Sequence, residues 1–200
     1  MSSESNVNAI ESIATDTSVE SNPTPSNSAW QEMKEIFNAV RSNDDTSHAF
    51  LLRVVQPGLA GLMDGSVSTL APIFATAFLT HRSFAAFLIG IAAAMGAGIS
   101  MAFSEALSDD GELTGRGHPM VRGAITGLMT FIGGALHTLP FLIANIQMAL
   151  IMAYIAVAVE LVVIAAIRHR YFGTRWFKSM LQVVGSGMLV FIAAYFFGNA

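Results

Sequence analysis

The chain has no cysteine. That removes disulfides, thiolate metal ligands and cysteine nucleophiles from consideration. Charge is scarce too. Asp, Glu, Lys and Arg make up 12% of the 200 residues, against about 25% in an ordinary soluble domain. The net charge of −4 lacks the basic excess of a nucleic-acid binder, so no nucleic-acid partner is expected. The length leaves no room for a large multidomain enzyme. What is abundant is apolar: 53% of the residues are hydrophobic, and they come in long runs, as in a membrane protein.

The few charges divide the chain. Val54–His81 holds one, Asp64, and Ser83–Ser104 holds none. Gly123–Ile167 holds one, Glu160, with a bend near Pro140–Asn145, and Ser179–Ala200 holds none. A helix needs about 20 apolar residues to cross the hydrocarbon core. The expectation is an all-α polytopic membrane protein with five spans, near 55–80, 84–107, 121–143, 146–167 and 177–198, in one domain, 54–200. Barrel strands would alternate apolar and polar residues, and these runs are continuous.

Orientation follows from the basic residues. With the N-terminus cytoplasmic, Lys34, Arg41, Arg53, Arg116, Arg122, Arg168, Arg170, Arg175 and Lys178 fall inside and Arg82 alone outside. The expected topology is therefore N-terminus cytoplasmic and C-terminus outside. In a bacterium the compartment would be the inner membrane; a eukaryotic organelle is not excluded.

Before the spans, residues 1–28 are rich in Ser, Asn, Thr, Glu and Pro and lack apolar periodicity, which reads as a disordered tail. In 29–41, Trp30, Met33, Phe37 and Val40 recur at helical spacing. This amphipathic helix either lies on the membrane surface or packs on its own bundle or a partner.

Carboxylates inside a bilayer are costly and mark sites. At about 1.5 Å per residue, Asp64 lies about 10 Å from the inner end of span one. Met101 lies about 9 Å from the inner end of span two, Glu105 at its mouth, and Glu160 about 10 Å deep in span four. Polar or soft ligands on three helices thus share a cytoplasmic layer. Met101 and Glu105 are four apart and share a face, as do Asp64 and Ser68. Pro72 has no N–H, which frees the carbonyl of Ser68 as an oxygen ligand. Gly61 and Gly65 permit close approach or local unwinding. Oxygen ligands plus a thioether suit Fe²⁺ or Mn²⁺ better than Na⁺ or K⁺, with Zn²⁺ and Co²⁺ open.

Plain alternatives stand beside each residue. Glu160 could be hydrogen-bonded glue between helices, Met101 a packing residue and Glu105 a solvated helix end. Asp109, Asp110 and Glu112 could attract cations or simply be solvated. His137, near the outer end of span three, reads as a hydrogen-bonded structural histidine. A small-residue ridge, Gly90, Ala94, Gly98 and Ala102, and the pair Gly123 and Gly127 would let helices approach closely.

Three stretches, GLMDGSVSTLAP at Gly61–Pro72, GAGISMAFSEALSDDG at Gly96–Gly111, and Gln182–Ala200, give the chain a family likeness. Over residues 54–200 it resembles the vacuolar iron transporter family, and most of all the membrane domain of bacterial membrane-bound ferritins, also called erythrin–vacuolar iron transport proteins. The resemblance implies a homodimer that moves Fe²⁺, and often Mn²⁺, out of the cytoplasm in exchange for protons, the ion path lying between protomers. The metal is then the substrate, and no cofactor is expected. The family's aspartate falls on Asp64, its methionine on Met101 and its glutamate on Glu105; Glu160 matches an acid of the membrane-bound ferritins. Two features depart from the pattern. The connection Ser108–Arg122 is too short for the acidic metal-binding extension of plant-type members. No Glu-x-x-His pair occurs in Met1–Phe50, so no ferritin-like domain or ferroxidase activity is expected.

The chain is therefore read as a transporter and not an enzyme. The alternative is a non-transporting membrane anchor or assembly partner for a ferritin-like protein, docked through Trp30–Val40. An intramembrane hydrolase would need Ser100 with His137, which this topology sets near opposite faces.

Overall fold

The computed structural model describes residues 25–42, 50–108 and 116–198. Of the tail read over 1–28, residues 1–24 lie outside the described residues, as do the acidic positions Asp109, Asp110 and Glu112; residues 25–28 are not disordered but helical, so the helix expected over 29–41 begins earlier, at Pro25. Among the described residues there are six α-helices: α1 (Pro25–Ser42), α2 (Gln56–Thr80), α3 (Ser83–Ala106), α4 (Pro119–Leu136), α5 (Ile146–Phe172) and α6 (Trp176–Gly198). A π-helical turn, Leu51–Val55, leads into α2, and a 3₁₀ turn, Leu139–Leu142, follows α4. Five helices among the described residues are long and apolar enough to cross a membrane. They alternate in direction, so Arg53, Arg116, Arg122 and the basic residues of the α5–α6 turn gather at one end of the bundle, here called the basic end.

Local chemistry sets the helix boundaries. Pro119 opens α4, and the His118 ring accepts from the Met120 N–H at 3.3 Å. Asn145 opens α5, its Oδ1 accepting from the N–H groups of Gln147 and Met148 at 3.0 and 3.2 Å. Gly173, with φ of +61°, closes α5 in the left-handed conformation that glycine adopts without penalty. Pro72 sits inside an unbroken α2.

The small-residue ridges are the packing seams. Gly98 and Ala102 of α3 face Gly127 of α4, and Ala102 and Ala106 face Gly123. Gly65 of α2 lies against the backbone of Thr130 so closely that a Cβ would collide with it. Close approach, not unwinding, is what Gly61 and Gly65 provide. Two apolar clusters form the core. One joins Leu59, Leu62, Leu161, Ile164 and Val183 in the basic half. The other joins Leu70, Ile73, Phe74, Ala77 and Phe141 to α3, α5 and α6 in the far half, where Phe74 stacks on Tyr154 at 5.2 Å.

Helix α4 is shorter than the expected span 121–143. It ends at Leu136, and buried non-helical backbone follows at His137 and Thr138. The cause is Pro140, which has no N–H to donate to the Leu136 carbonyl and whose ring would clash with that carbonyl if the α-helix continued. Gly134, in the last turn, packs on Thr69 and Ala94. Each of those lies eleven residues, about 16 Å, from the far end of its own helix. The end of α4 is therefore near the middle of a hydrocarbon layer about 30 Å thick, and His137 is at mid-depth, not near the outer surface. Helix α5 runs on to Phe172, so Glu160 lies about 18 Å from its basic end, deeper than the 10 Å expected.

Helix α1 docks on the basic end through a polar residue. Glu32 is buried; its Oε2 accepts from the His118 N–H at 2.6 Å, and its Oε1 faces Arg53 Nε at 3.8 Å. Gly117, with φ of +79°, passes directly over Glu32 and Arg53, where no Cβ would fit. Trp30 and Met33 stay exposed. The side chains of Phe37 and Val40 lie outside the described residues.

Candidate metal site and a buried polar layer

The four residues expected at a metal site occupy three environments. Glu160 is 5% exposed and belongs to a polar layer sealed between the two apolar clusters. Its Oε1 lies 2.6 Å from Ser66 Oγ, and its Oε2 lies 3.1 Å from His137 Nδ1. His137 Nε2 reaches Thr69 Oγ1 at 2.8 Å. The proton positions follow from counting. Thr69 has one hydroxyl proton and donates it to the Gly65 carbonyl at 2.7 Å, so Nε2–H of His137 is the donor toward Thr69. One proton on the Nδ1···Oε2 line then satisfies both His137 and Glu160. Ser66 sits between two acceptors, Glu160 and the Leu62 carbonyl at 2.7 Å. Gly133 makes room for this layer, lying against the Leu62 carbonyl and Glu160.

Glu105 is held by arginine. Its Oε1 accepts from Arg116 Nη2 at 2.8 Å and from Arg122 Nε at 3.0 Å. The Arg122 side chain is 0% exposed and also donates to Ser108 Oγ at 3.2 Å and the Gly117 carbonyl at 3.4 Å. A charge this buried needs such partners, because uncompensated burial costs several kcal/mol. As described, Glu105 closes the α3–α4 connection.

Asp64 and Met101 are placed differently. Asp64 precedes Ser66 by two residues, so it points about 200° away around α2. Ala60 and Ser68 beside it are exposed, and Asp64, Val67, Ala71 and Ala75 are half-buried. Among the described residues this face of α2 is only partly covered around Ala60, Asp64 and Ser68; further along, Ala71 packs on the far apolar cluster and Ala75 lies against Gly198 of α6. Asp64 has no hydrogen bond or ion pair among the described residues. Met101, on α3, is also half-buried. Counted from the contacts of Gly134 with Thr69 and Ala94, Asp64 lies five residues and Met101 seven residues further toward the basic end. Their depths differ by about 3 Å.

Asp64 and Glu160 thus share a depth but not a face. Among the described residues, no group of three His, Cys, Asp or Glu side chains converges to hold a metal. The His137–Glu160 pair was missed by sequence reasoning. The available signal was that each is an isolated polar residue in an apolar stretch, and such residues in neighbouring helices tend to pair. Ser100 is exposed and on another helix from His137, whose two ring nitrogens are engaged by Thr69 and Glu160.

The model of the VIT family matches residues 106–199. The match begins immediately after Glu105, so it leaves out Asp64, Met101 and Glu105 and includes Glu160. No curated protein and no solved structure matches the chain.

Proposed function

We propose that this chain is a membrane transporter of the vacuolar iron transporter type that carries Fe²⁺ or Mn²⁺ out of the cytoplasm in exchange for protons. The observation that carries the reading is Asp64: a carboxylate well inside an apolar helix, without a hydrogen bond or ion pair among the described residues, on a face they only partly cover. Such a residue is costly in a bilayer unless it serves a ligand. The family match over residues 106–199 supports the same reading from a part of the chain that does not include Asp64.

Asp64 and Met101 are the ligands we assign first, with the Ser68 carbonyl freed by Pro72 as an oxygen donor. A second copy of the chain completes the site across the partly covered face of α2, where Ala60 and Ser68 are exposed and present little bulk to a close neighbour. Glu105 joins when Arg116 and Arg122 release it, which makes the α3–α4 connection the cytoplasmic entry. Glu160 acts through α2, holding Ser66 and hence the direction of Asp64. Proton exchange uses the same carboxylate, since a protonated acid is a poor metal ligand.

The test is Fe²⁺ and Mn²⁺ uptake into everted vesicles. Asp64→Asn should lose uptake by at least about tenfold, the range seen when even an outer partner of a metal site is removed. Met101→Leu should lose less for Mn²⁺ than for Fe²⁺, because a thioether favours the softer ion. Wild-type uptake by Asp64→Asn would overturn the assignment. The exposed Trp30 and Met33 favour a second reading, attachment of another protein to α1. Deleting residues 1–50 separates the two, since a transporter keeps its flux and an anchor loses its partner.

A further inference from the structure

At two of the basic-end connections the described arginines are matched by acids. Arg53 lies 3.8 Å from Glu32 and 3.9 Å from Glu35. Arg116 and Arg122 share Glu105. Among the described residues the α5–α6 turn has no such balance. Arg168, Arg170, Arg175 and Lys178 fall within eleven residues, and no Asp or Glu occurs anywhere from Leu161 to Ala200.

Three of these cations surround a real concavity. A pocket of about 470 Å³ is lined by Arg168, Thr174, Arg175, Lys178 and Gln182. Arg168 is held in place there, its Nη2 donating to Gln182 Oε1 at 3.0 Å. The turn itself is braced. Gly173 reverses the chain in the left-handed conformation, and His169 Nδ1–H donates to the Thr174 carbonyl at 2.7 Å. Thr174 Oγ1 is buried and has no hydrogen-bond partner. The Ser179 N–H bonds to the Arg175 carbonyl at 3.0 Å, so the first N–H groups of α6 have no partner within their helix. Cations, a spare hydroxyl and a helix start together form an acceptor-poor, donor-rich pocket, which is what a phosphate group requires.

Depth identifies the source of that phosphate. Arg168 lies eight residues, about 12 Å, beyond Glu160 in the middle of the bundle. Half of the hydrocarbon layer is about 15 Å. Arg168 thus starts about 3 Å inside the hydrocarbon edge, and the turn beyond Phe172, about 18 Å from Glu160, carries the rest of the pocket to the level of lipid headgroups. Beside it Phe172, Trp176 and Phe177 are exposed, Phe177 at 78%, as aromatic side chains are where acyl chains give way to headgroups.

We propose that the pocket between the end of α5 and the start of α6 binds the headgroup phosphate of one anionic phospholipid per chain, Arg168, Arg175 and Lys178 supplying the charge and Thr174 a hydroxyl. The charge and shape of this site are independent of metal transport, and so is its test.

The full chain is purified in neutral detergent and titrated with dioleoyl phosphatidylglycerol or dioleoyl phosphatidylcholine, and bound lipids are counted by native mass spectrometry. One phosphatidylglycerol should stay bound where phosphatidylcholine does not. Arg175→Gln/Lys178→Gln should weaken it by about thirtyfold, the worth of two membrane-adjacent cations. Lys34→Gln/Arg82→Gln, which removes the same charge elsewhere, should leave it in place. If the first double variant does not purify, Thr174→Val, which removes no charge, should still weaken binding several-fold. Equal retention of the two lipids, or undiminished phosphatidylglycerol on both pocket variants, would overturn the proposal. Displacement of the lipid by millimolar inorganic phosphate would overturn the lipid assignment and leave a free-phosphate site.

Discussion

The two faces of α2 carry polar residues at one depth and treat them in opposite ways. On the inner face, Ser66 and Thr69 are covered by α4 and α5 and tied to Glu160 and His137. On the other, the side chains of Asp64 and Ser68 make no hydrogen bond or ion pair among the described residues. The difference teaches how to sort costly residues in an apolar bundle. A polar group whose bonding capacity is filled by its own chain contributes to the architecture. One left with capacity to spare is available to something else. By that standard Glu160, although the most buried of the described acids, is the poorer ligand candidate, and Asp64 the better one.

The sharpest way to break this contrast is to compare the two acids directly. Glu160→Ala strands His137 and Ser66 in the bundle and should destabilise the protein by about 3 kcal/mol, read from the unfolding midpoint in mixed micelles. Asp64→Ala should show no such loss, and equal losses would mean that the faces are not different in kind. Next in size is Gly65→Ala, which drives a methyl into the Thr130 backbone and should cost about 2 kcal/mol. A serine pair sharpens the comparison further: Ser66→Ala should cost about 1 kcal/mol, while Ser68→Ala should stay within about 0.5 kcal/mol. The smallest effect is expected at Asp64→Asn, whose stability should match or slightly exceed wild type even as its flux is lost, because a neutral amide is cheaper to embed than an unpaired carboxylate.

Much of this was legible in the sequence. The five membrane-crossing helices follow from apolar runs separated by charges, and the ridge from Gly90 to Ala102 does lie on the seam that its spacing implied. Asp64 stands out because a carboxylate beside two glycines in an apolar run has few structural excuses. The break after Leu136 was hidden. His137–Asn145 remains mostly apolar, so run length cannot sense a helix that stops beneath it, and only Pro140 hints at the break. Partners across helices were hidden as well. Periodicity says which residues share a face, but not that Arg122 turns back onto Glu105, or that α5 continues to Phe172 and lowers Glu160 to the level of His137.

The early end of α4 has a mechanical consequence. Over the far half of the bundle a strap, from His137 to Asn145, stands where a helix would otherwise continue, and it holds itself with few backbone bonds of its own. Deuterium should enter there before it enters any neighbouring helix. If the molecule has a hinge, that half can bend by rearranging nine residues, while the opposite half would have to pull apart glycine-lined seams.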